Sequence, residues 1–406
     1  MKSERLWLLS LLLAAVLGGT ALPLAAADTL RPEVGKPLQA AQQLIKDQKY
    51  QEALAKVTET DAVPNKTPYE KFIIERMRGA AASGAGDSDT AARAFDAVIT
   101  SGKLGHDEEL KLMQAMAGSF YRSKEYAKAL SWAQRYQKAG GNDPDMNTLI
   151  AQSYYLSGDY ANAARELQDQ VAASEKSGKA LSEAELQLLA SCYLKQNDKA
   201  GYARALQQLL AYYPKKEYWA DVLTQIQRKP GFSDRLTLDV YRLMLATGNM
   251  TQAADYMEMA QLAVQAGFPI EAQQVINQGY ASKALGTGAE AARQKRLKDL
   301  VDKQAADDQK APVIDPQALA KRGAEAMVAT GYNLILNGKT DQGITLMQQG
   351  IAQGNLKHPE DAKLHLGEAY LRAGKSAEAN KILKTVQGAD GTQDLAHLWT
   401  IHSHAS

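Results

Sequence analysis

The chain of 406 residues has one cysteine, few aromatic residues and no excess of charge of either sign. With Cys192 alone, no internal disulfide can form, and no cysteine lies near the N-terminus to carry a lipid. Aromatic residues are only 7% of the chain, and 18 of the 27 are tyrosine, whereas alanine is abundant. This composition is typical of helices that approach closely through small side chains. It favours an all-α protein whose core alone stabilises the fold.

Only one long hydrophobic run is present, LWLLSLLLAAVLGG at residues 6–19. Lys2 and Arg5 precede it, and the small residues Ala25 to Ala27 follow it. The run is shorter than the roughly 20 residues that cross a bilayer core. The sequence therefore predicts a signal peptide at residues 1–27, cleaved after about Ala27, and export to the periplasm. An uncleaved membrane anchor is the alternative.

The charges of the remaining chain balance. Removing residues 1–27 takes away Lys2, Arg5 and Glu4, which leaves 45 of the 47 basic and 45 of the 46 acidic residues. A formally neutral chain gives no support for a nucleic-acid partner or for binding to an anionic membrane. We expect a protein partner instead, and no integral membrane segment after cleavage.

Two stretches of the chain, FYRSKEYAKALSWAQ at residues 120–134 and YYLSGDYANAARELQ at residues 154–168, repeat one pattern. Tyr126 aligns with Tyr160, and Ala129 aligns with Ala163, so every matched pair has the same separation. Small residues let two helices cross closely while large neighbours fill the grooves beside the crossing. Gly158 lies between the two apolar segments, where a glycine ends a helix readily. The pattern predicts pairs of antiparallel helices.

This pattern resembles the tetratricopeptide repeat, whose period of about 34 residues matches the offset between the two stretches. In the second copy the resemblance is carried by Ile150, Ala151, Tyr154, Gly158, Tyr160, Ala163 and Leu167. It implies an all-α fold, a TPR-like α-solenoid of antiparallel helix pairs, with copies in residues 38–214 and 320–386. The predicted segments after the signal are a solenoid at 28–215, divergent helical repeats at 216–286, a charged helix or linker at 287–315, and further repeats with a tail at 316–406.

Residues 218–244 and 356–375 are similar to exported repeat proteins of Gram-negative bacteria that accompany TonB-type energy transducers. This resemblance implies a scaffold accessory to TonB-linked uptake across the outer membrane. A scaffold for cell-wall or outer-membrane assembly is the alternative, because it would use the same fold.

A stack of helix pairs leaves one face of each first helix open to a partner. On this face we predict a groove for a peptide or a helix of an envelope protein, with components of TonB-type systems among the candidates. Its residues are Tyr121, Arg122, Gln152, Tyr155 and Lys195. Tyrosine and polar side chains combine contact area with hydrogen bonding. The alternative is that these are only tolerated surface residues.

No nucleophile, base and orienting residue occur at a spacing that indicates catalysis, so we predict no enzyme, no cofactor and no metal site. An enzyme with a site assembled between distant repeats is the alternative. Asp143 and Asp145 have the spacing of calcium ligands, but residues further along do not fit, and helix capping is favoured. His397, His402 and His404 could gather a metal, but we predict a disordered end.

Overall fold

The computed structural model describes residues 29–310 and 316–405, so the predicted signal peptide at 1–27 lies outside the described residues. Within these ranges the regular structure is helical and no strand is present, which confirms the all-α prediction. The helices are α1 (Pro32–Lys46), α2 (Tyr50–Glu59), α3 (Pro68–Ala85), α4 (Ser88–Thr100), α5 (His106–Arg122), α6 (Tyr126–Lys138), α7 (Pro144–Leu156), α8 (Tyr160–Ser177), α9 (Glu183–Lys195), α10 (Lys199–Tyr212), α11 (Lys216–Gln227), α12 (Thr237–Ala246), α13 (Ala253–Gln265), α14 (Pro269–Ala281), α15 (Ala291–Lys310), α16 (Pro316–Arg322), α17 (Ala324–Leu336), α18 (Thr340–Gln353), α19 (Pro359–Arg372), α20 (Ser376–Leu383) and α21 (Thr392–Ala405).

Short polar side chains and glycines set where these helices begin and end. Thr67 and Glu70 form a capping box at the start of α3. Asp143 accepts a hydrogen bond from the Asp145 backbone N–H at the start of α7, which confirms capping as its role. Gly158 has φ of +85° between α7 and α8, a conformation that glycine adopts without strain. These local signals produce the tight turns that make neighbouring helices antiparallel.

The described residues form two compact units. Unit 1 comprises residues 29–181 and 191–197, and unit 2 comprises residues 182–190, 198–310 and 316–405. In unit 1 the repeat residues Ala151 and Ala163 are fully buried where α7 crosses α8. Small side chains therefore lie at the crossing, as expected for this repeat.

Glycines take the place of alanines at the closest crossing of unit 2. A methyl group added at Gly331 of α17 would lie 2.7 Å from the Gly343 carbonyl oxygen of α18. One added at Gly343 would lie 2.4 Å from the Gly331 carbonyl oxygen. The two backbones are thus in contact, and no side chain fits between them.

Helix α15 occupies most of the segment that the sequence predicts to be a charged helix or linker. It packs against α13 and α14 in unit 2, with Val301 and Ala305 fully buried. The Gln273 side chain of α14 donates a hydrogen bond of 2.9 Å to Asp302 of α15. A narrow apolar stripe is therefore enough to hold a helix whose other faces are charged.

The chain of unit 2 returns on itself. Helix α21 packs against α10 and α12, far earlier in the sequence. The Ser233 backbone N–H donates a hydrogen bond of 2.9 Å to the Asp390 carbonyl oxygen, and Arg235 forms ion pairs of 2.8 Å with Asp361 and 2.6 Å with Asp390. These contacts join residues that are far apart in the chain, by 126 positions for Arg235 and Asp361.

The prediction of a disordered end is wrong, because residues Thr392–Ala405 form α21. The His402 ring lies 6.0 Å from the Trp219 ring and 5.6 Å from the Trp399 ring, between centroids. Burial of Leu395, Ala396 and Leu398 supplies the apolar contact that holds this helix.

Candidate functional site

The first helices of three successive repeats, α5, α7 and α9, are joined in unit 1 by side-chain hydrogen bonds. The Tyr121 hydroxyl of α5 donates to the Gln152 amide oxygen of α7 over 2.7 Å. The Tyr155 hydroxyl of α7 lies 2.8 Å from the Ser191 hydroxyl of α9. We call the face formed by Tyr121, Arg122, Gln152, Tyr155, Leu156, Ser191, Leu194 and Lys195 the tyrosine face.

Each tyrosine of this face is also fixed from behind by the next helix of its own repeat. The rings of Tyr121 and Tyr126 meet edge to face at 5.8 Å, and those of Tyr155 and Tyr160 do so at 5.2 Å. Burial, and then the nearby Tyr126, raise the pKa of Tyr121, so its hydroxyl stays protonated and keeps donating. The face is therefore rigid before any partner arrives.

Two large apolar side chains are exposed on this face. Leu156, at the end of α7, is 48% exposed, and Leu194, near the end of α9, is 54% exposed. Arg122 and Lys195 are exposed beside them at the ends of α5 and α9. Among the described residues, neither cation forms an ion pair with a carboxylate. Uncovered apolar area and unpaired positive charge thus occur together.

The structure brings only part of the predicted groove into direct contact. Tyr121 and Gln152 touch, whereas Tyr155 contacts Ser191, a residue that the sequence does not single out. Arg122 and Lys195 lie on the same three helices, but among described residues they make no hydrogen bond to the other predicted groove residues. Ser191 could have been found from its position one helical turn before Lys195.

A second group of polar side chains, absent from the sequence predictions, lies in unit 2, and most of its members are buried. We call it the charged cluster: Asp239, Arg242, Glu271, Tyr332, His365, Glu368 and Arg372. The Arg242 guanidinium makes two hydrogen bonds to the Glu271 carboxylate, of 2.9 and 2.7 Å, and a third of 2.7 Å to Asp239. Both partners of Arg242 are as buried as the arginine itself. Bidentate pairing is the geometry that best compensates a buried guanidinium.

Helix α19 completes the charged cluster with three side chains. The His365 Nε2 atom lies 2.8 Å from Asp239, and Arg372 donates to Glu271 over 3.3 Å. The Tyr332 hydroxyl of α17 donates to Glu368 over 3.3 Å. The cluster therefore ties α12, α14, α17 and α19 together across unit 2.

Aromatic rings enclose the centre of the cluster. The Arg242 guanidinium lies 4.7 Å from the Tyr332 ring centroid and 5.3 Å from that of Phe268. These faces attract the cation and exclude water from it. Electrostatic interactions are consequently stronger here than at the surface.

Burial changes the proton affinity of the cluster. It raises the pKa of Glu368 to about 7, because the attraction of Arg242 offsets the desolvation only in part. Burial lowers the pKa of His365, but the Asp239 carboxylate outweighs this, so the pKa of His365 is raised. For Asp239 the attraction of His365 and Arg242 outweighs burial, so the pKa of Asp239 is lowered. Glu368 and His365 thus both hold their protons to higher pH than the free side chains do.

A sequence signal for this cluster exists only in part. Asp239 and Arg242 stand three residues apart in the apolar stretch LTLDVYRLML, where charged residues on a helix need an explanation. Their partners on α14 and α19 lie far away in the sequence, so spacing alone could not identify them.

Unit 2 also has an open groove of about 550 Å³ between α13 and the start of α15. Its lining includes Met257, Glu258, Leu262 and Arg293, and no member of the charged cluster. Among the described residues, no three His, Cys, Asp or Glu side chains are placed to hold a metal ion. In the same ranges, none of the helices has the length and apolar character needed to span a membrane.

The tetratricopeptide repeat family matches residues 186–216 and 361–388, which cover most of the pairs α9–α10 and α19–α20. A search of curated proteins finds no significant match. Solved structures similar to the chain include the C-terminal part of a TPR repeat-containing protein from Cytophaga hutchinsonii, with 13% identity, a TM-score of 0.31, and coverage of 63% of this chain and 98% of that one. The TPR2AB domain of yeast Sti1 in a complex with pHSP90 has 12% identity, a TM-score of 0.25, and coverage of 73% and 99%. Yeast Tom70 has 10% identity, a TM-score of 0.25, and coverage of 92% and 96%.

The superpositions on these structures are poor over the whole chain. The repeat assignment depends instead on the family match, and it holds for residues 186–216 and 361–388.

Proposed function

We propose that this tetratricopeptide-repeat chain is a scaffold that binds a segment of another protein on the tyrosine face of unit 1. The observation that carries the proposal is the coincidence of exposed Leu156 and Leu194 with a framework of tyrosines that is already hydrogen-bonded. Large exposed apolar side chains in a polar surround are typical of protein-binding surfaces. Preformed side chains also lower the entropy cost of binding.

The chemistry of the face defines the partner segment. Apolar side chains of the segment would cover Leu156 and Leu194, and carboxylates would pair with Arg122 and Lys195, which have no such partner among the described residues. An extended peptide or an amphipathic helix with alternating apolar and acidic residues meets both requirements. Charge complementarity of this kind mainly speeds association and selects the partner.

We place this scaffold in the periplasm, as the basic start and the short apolar run of residues 1–27 indicate. Within the envelope we favour a partner in TonB-linked uptake across the outer membrane, on the resemblance of residues 218–244 and 356–375 to proteins of such systems. A partner in cell-wall or outer-membrane assembly is the second candidate, since the tyrosine face would serve it equally well.

Removing the apolar part of the face should abolish partner binding. We expect a Leu156→Gln, Leu194→Gln variant to lose at least about tenfold in recovery of a specific partner, because each uncovered leucine supplies roughly 1.5–3 kcal/mol on burial. The measurement is affinity capture from the periplasm with quantitative mass spectrometry. Leu300→Gln is the matched control, because Leu300 is 47% exposed on α15 of unit 2.

Identical partner profiles for the wild type and the double variant, with equal helical circular dichroism, would reject the tyrosine face as the binding site. If the lost partner belongs to wall synthesis or outer-membrane assembly, the face is retained and the TonB link is rejected. Cross-linking from the residues of the tyrosine face would identify the bound segment of the partner directly.

A further inference from the structure

The ionisable groups of the charged cluster fall into two sets with different roles, a set of four and a second pair. Arg242 and Arg372 together balance the Asp239 and Glu271 carboxylates, so these four are neutral as a set. His365 and Glu368 remain, three residues apart on α19. The net charge inside unit 2 therefore depends on how many protons this second pair holds.

The environment of Glu368 fits its protonated form better than its ionised form. Its side chain is 2% exposed, and its Oε1 atom is buried with no hydrogen-bond partner among the described residues. Its other oxygen has one contact, the long 3.3 Å hydrogen bond with Tyr332. An ionised carboxylate buried with so few donors is costly, whereas a neutral carboxyl is not.

Both groups of the second pair lie where α19 meets helices from elsewhere in unit 2. His365 joins α19 to α12 through Asp239, which is 126 positions earlier in the chain. A protonated imidazole makes this bond a charge-assisted one, which is stronger than its neutral counterpart. Proton uptake by His365 thus strengthens the link between α12 and α19, and proton uptake by Glu368 removes a buried charge from α19.

We propose that the charged cluster is a pH-sensitive latch that holds α12 and α19 together when His365 and Glu368 carry protons and loosens when they lose them. The His365 side chain is 21% exposed, so protons can reach the cluster from solvent without unfolding. The groups that face the pair are Asp239 and Arg242 from α12, Glu271 from α14, Tyr332 from α17 and Arg372 from α19.

The direction of the effect follows from the proton affinities. The pKa of Glu368 is about 7 in the folded protein, above its ordinary value of 4.5, so the packed state binds more protons between these two values. His365 adds to this, because its pKa is raised above 6.5. The stability that Glu368 contributes is full below about pH 4.5 and is lost as the pH rises toward 7. The stability that His365 contributes is full below about pH 6.5 and is lost as the pH rises above that value. The lowered pKa of Asp239 changes the stability only below about pH 3.8.

Hydrogen exchange of the full chain tests the latch. After correction for intrinsic exchange, we expect the opening constants of α12 and α19 to rise about tenfold or more between pH 5.5 and 7.5. The reason is that one proton bound only in the packed state changes the opening constant about tenfold for each pH unit. Helices α5 and α7 of unit 1 are the internal control and should change less than about twofold on the same scale. Equal pH dependence in both sets of helices would overturn the proposal.

Variants separate the cluster from other titrating groups. Glu368→Gln resembles the protonated carboxyl, so it should remove most of the pH dependence below pH 6.5, and the dependence that remains above this pH is that of His365. Glu378→Gln on α20, where the glutamate is exposed, should behave as the wild type. Full pH dependence in Glu368→Gln would also overturn the proposal. If that variant does not fold, His365→Gln must lose the dependence above pH 6.5, and the wild-type exchange result decides independently.

Discussion

Replacing Gly343 with alanine is expected to lower the free energy of unfolding of unit 2 by about 2 kcal/mol or more, because the change overpacks a close helix crossing. The new methyl group would lie 2.4 Å from the Gly331 carbonyl oxygen and 2.5 Å from the Ile335 side chain. Backbone atoms of α17 cannot rotate away, so the two helices must separate, and overpacking of this kind costs roughly 3 kcal/mol or more. The better helix propensity of alanine returns only about 1 kcal/mol.

Gly35→Ala in α1 is the matched control, since the nearest atom to a methyl group there is the Leu30 Cβ atom at 3.8 Å. Because α1 belongs to unit 1, we expect that variant to leave the unfolding of unit 2 unchanged. Urea denaturation followed by Trp219 and Trp399 fluorescence, in a background where Trp7 and Trp132 are phenylalanine, reports on unit 2 alone. An unchanged midpoint for Gly343→Ala would mean that α17 and α18 do not pack in backbone contact.

Replacing Arg242 with methionine should destabilise unit 2 even more, by about 3–5 kcal/mol. Methionine fills much of the space between Phe268 and Tyr332 but leaves the Asp239 and Glu271 carboxylates buried without the guanidinium. The variant loses stability because the two carboxylates stay buried without a partner. The original ion pairs themselves need not contribute much net stability. The same fluorescence measurement applies.

Arg293→Met is the control for Arg242→Met, because Arg293 forms a 3.4 Å ion pair with Glu290 that is exposed on both sides. An exposed pair contributes at most about 1 kcal/mol. Adding Asp239→Leu and Glu271→Leu to Arg242→Met should recover most of the lost stability. If the triple variant is as unstable as Arg242→Met, the cost arises from packing and not from charge.

The helix pairs of unit 1 could be predicted because their determinants are local. Ala151 and Ala163 are twelve residues apart, and the turn between them at Gly158 follows from glycine at a helix end. The capping box of Thr67 and Glu70 spans only three residues. Each of these features can be identified in one short stretch of sequence.

Unit 2 could be predicted only in part, because its determinants are distant. The pattern of α19 and α20 is regular, but nothing near Asp239 indicates that His365 is its partner. The end of the chain has few apolar residues in a clear period, and α21 is held by contacts with α10 and α12. Tertiary contacts therefore determine that α21 forms, because local helix propensity alone does not predict it.

The candidate binding site falls between these cases. Position within the repeat identified Tyr121 and Gln152, because the same face recurs once in every repeat in that part of the chain. The small residue of the first helix is Ala117, Ala151 and Ala190 in three successive copies of the repeat. The separation from Ala151 to Ala190 is wider than that from Ala117 to Ala151, so the regular repeat spacing does not identify Ser191 as the partner of Tyr155. A few extra residues between helices thus change the sequence spacing, while the Tyr155–Ser191 contact still forms.

The return of the chain in unit 2 has a consequence for the order in which the protein folds. Contacts in unit 1 mostly join neighbouring helices, so each pair can pack as soon as its own residues have been synthesised. Lys229 must wait for Asp394, which follows it by 165 residues, before their 2.6 Å ion pair can form. Pairings across such long loops are slow and leave apolar surface uncovered in the meantime. Helix α21 can therefore pack only after α10 and α12 are present, and a chain that lacks it exposes the surfaces of α10 and α12 that α21 covers.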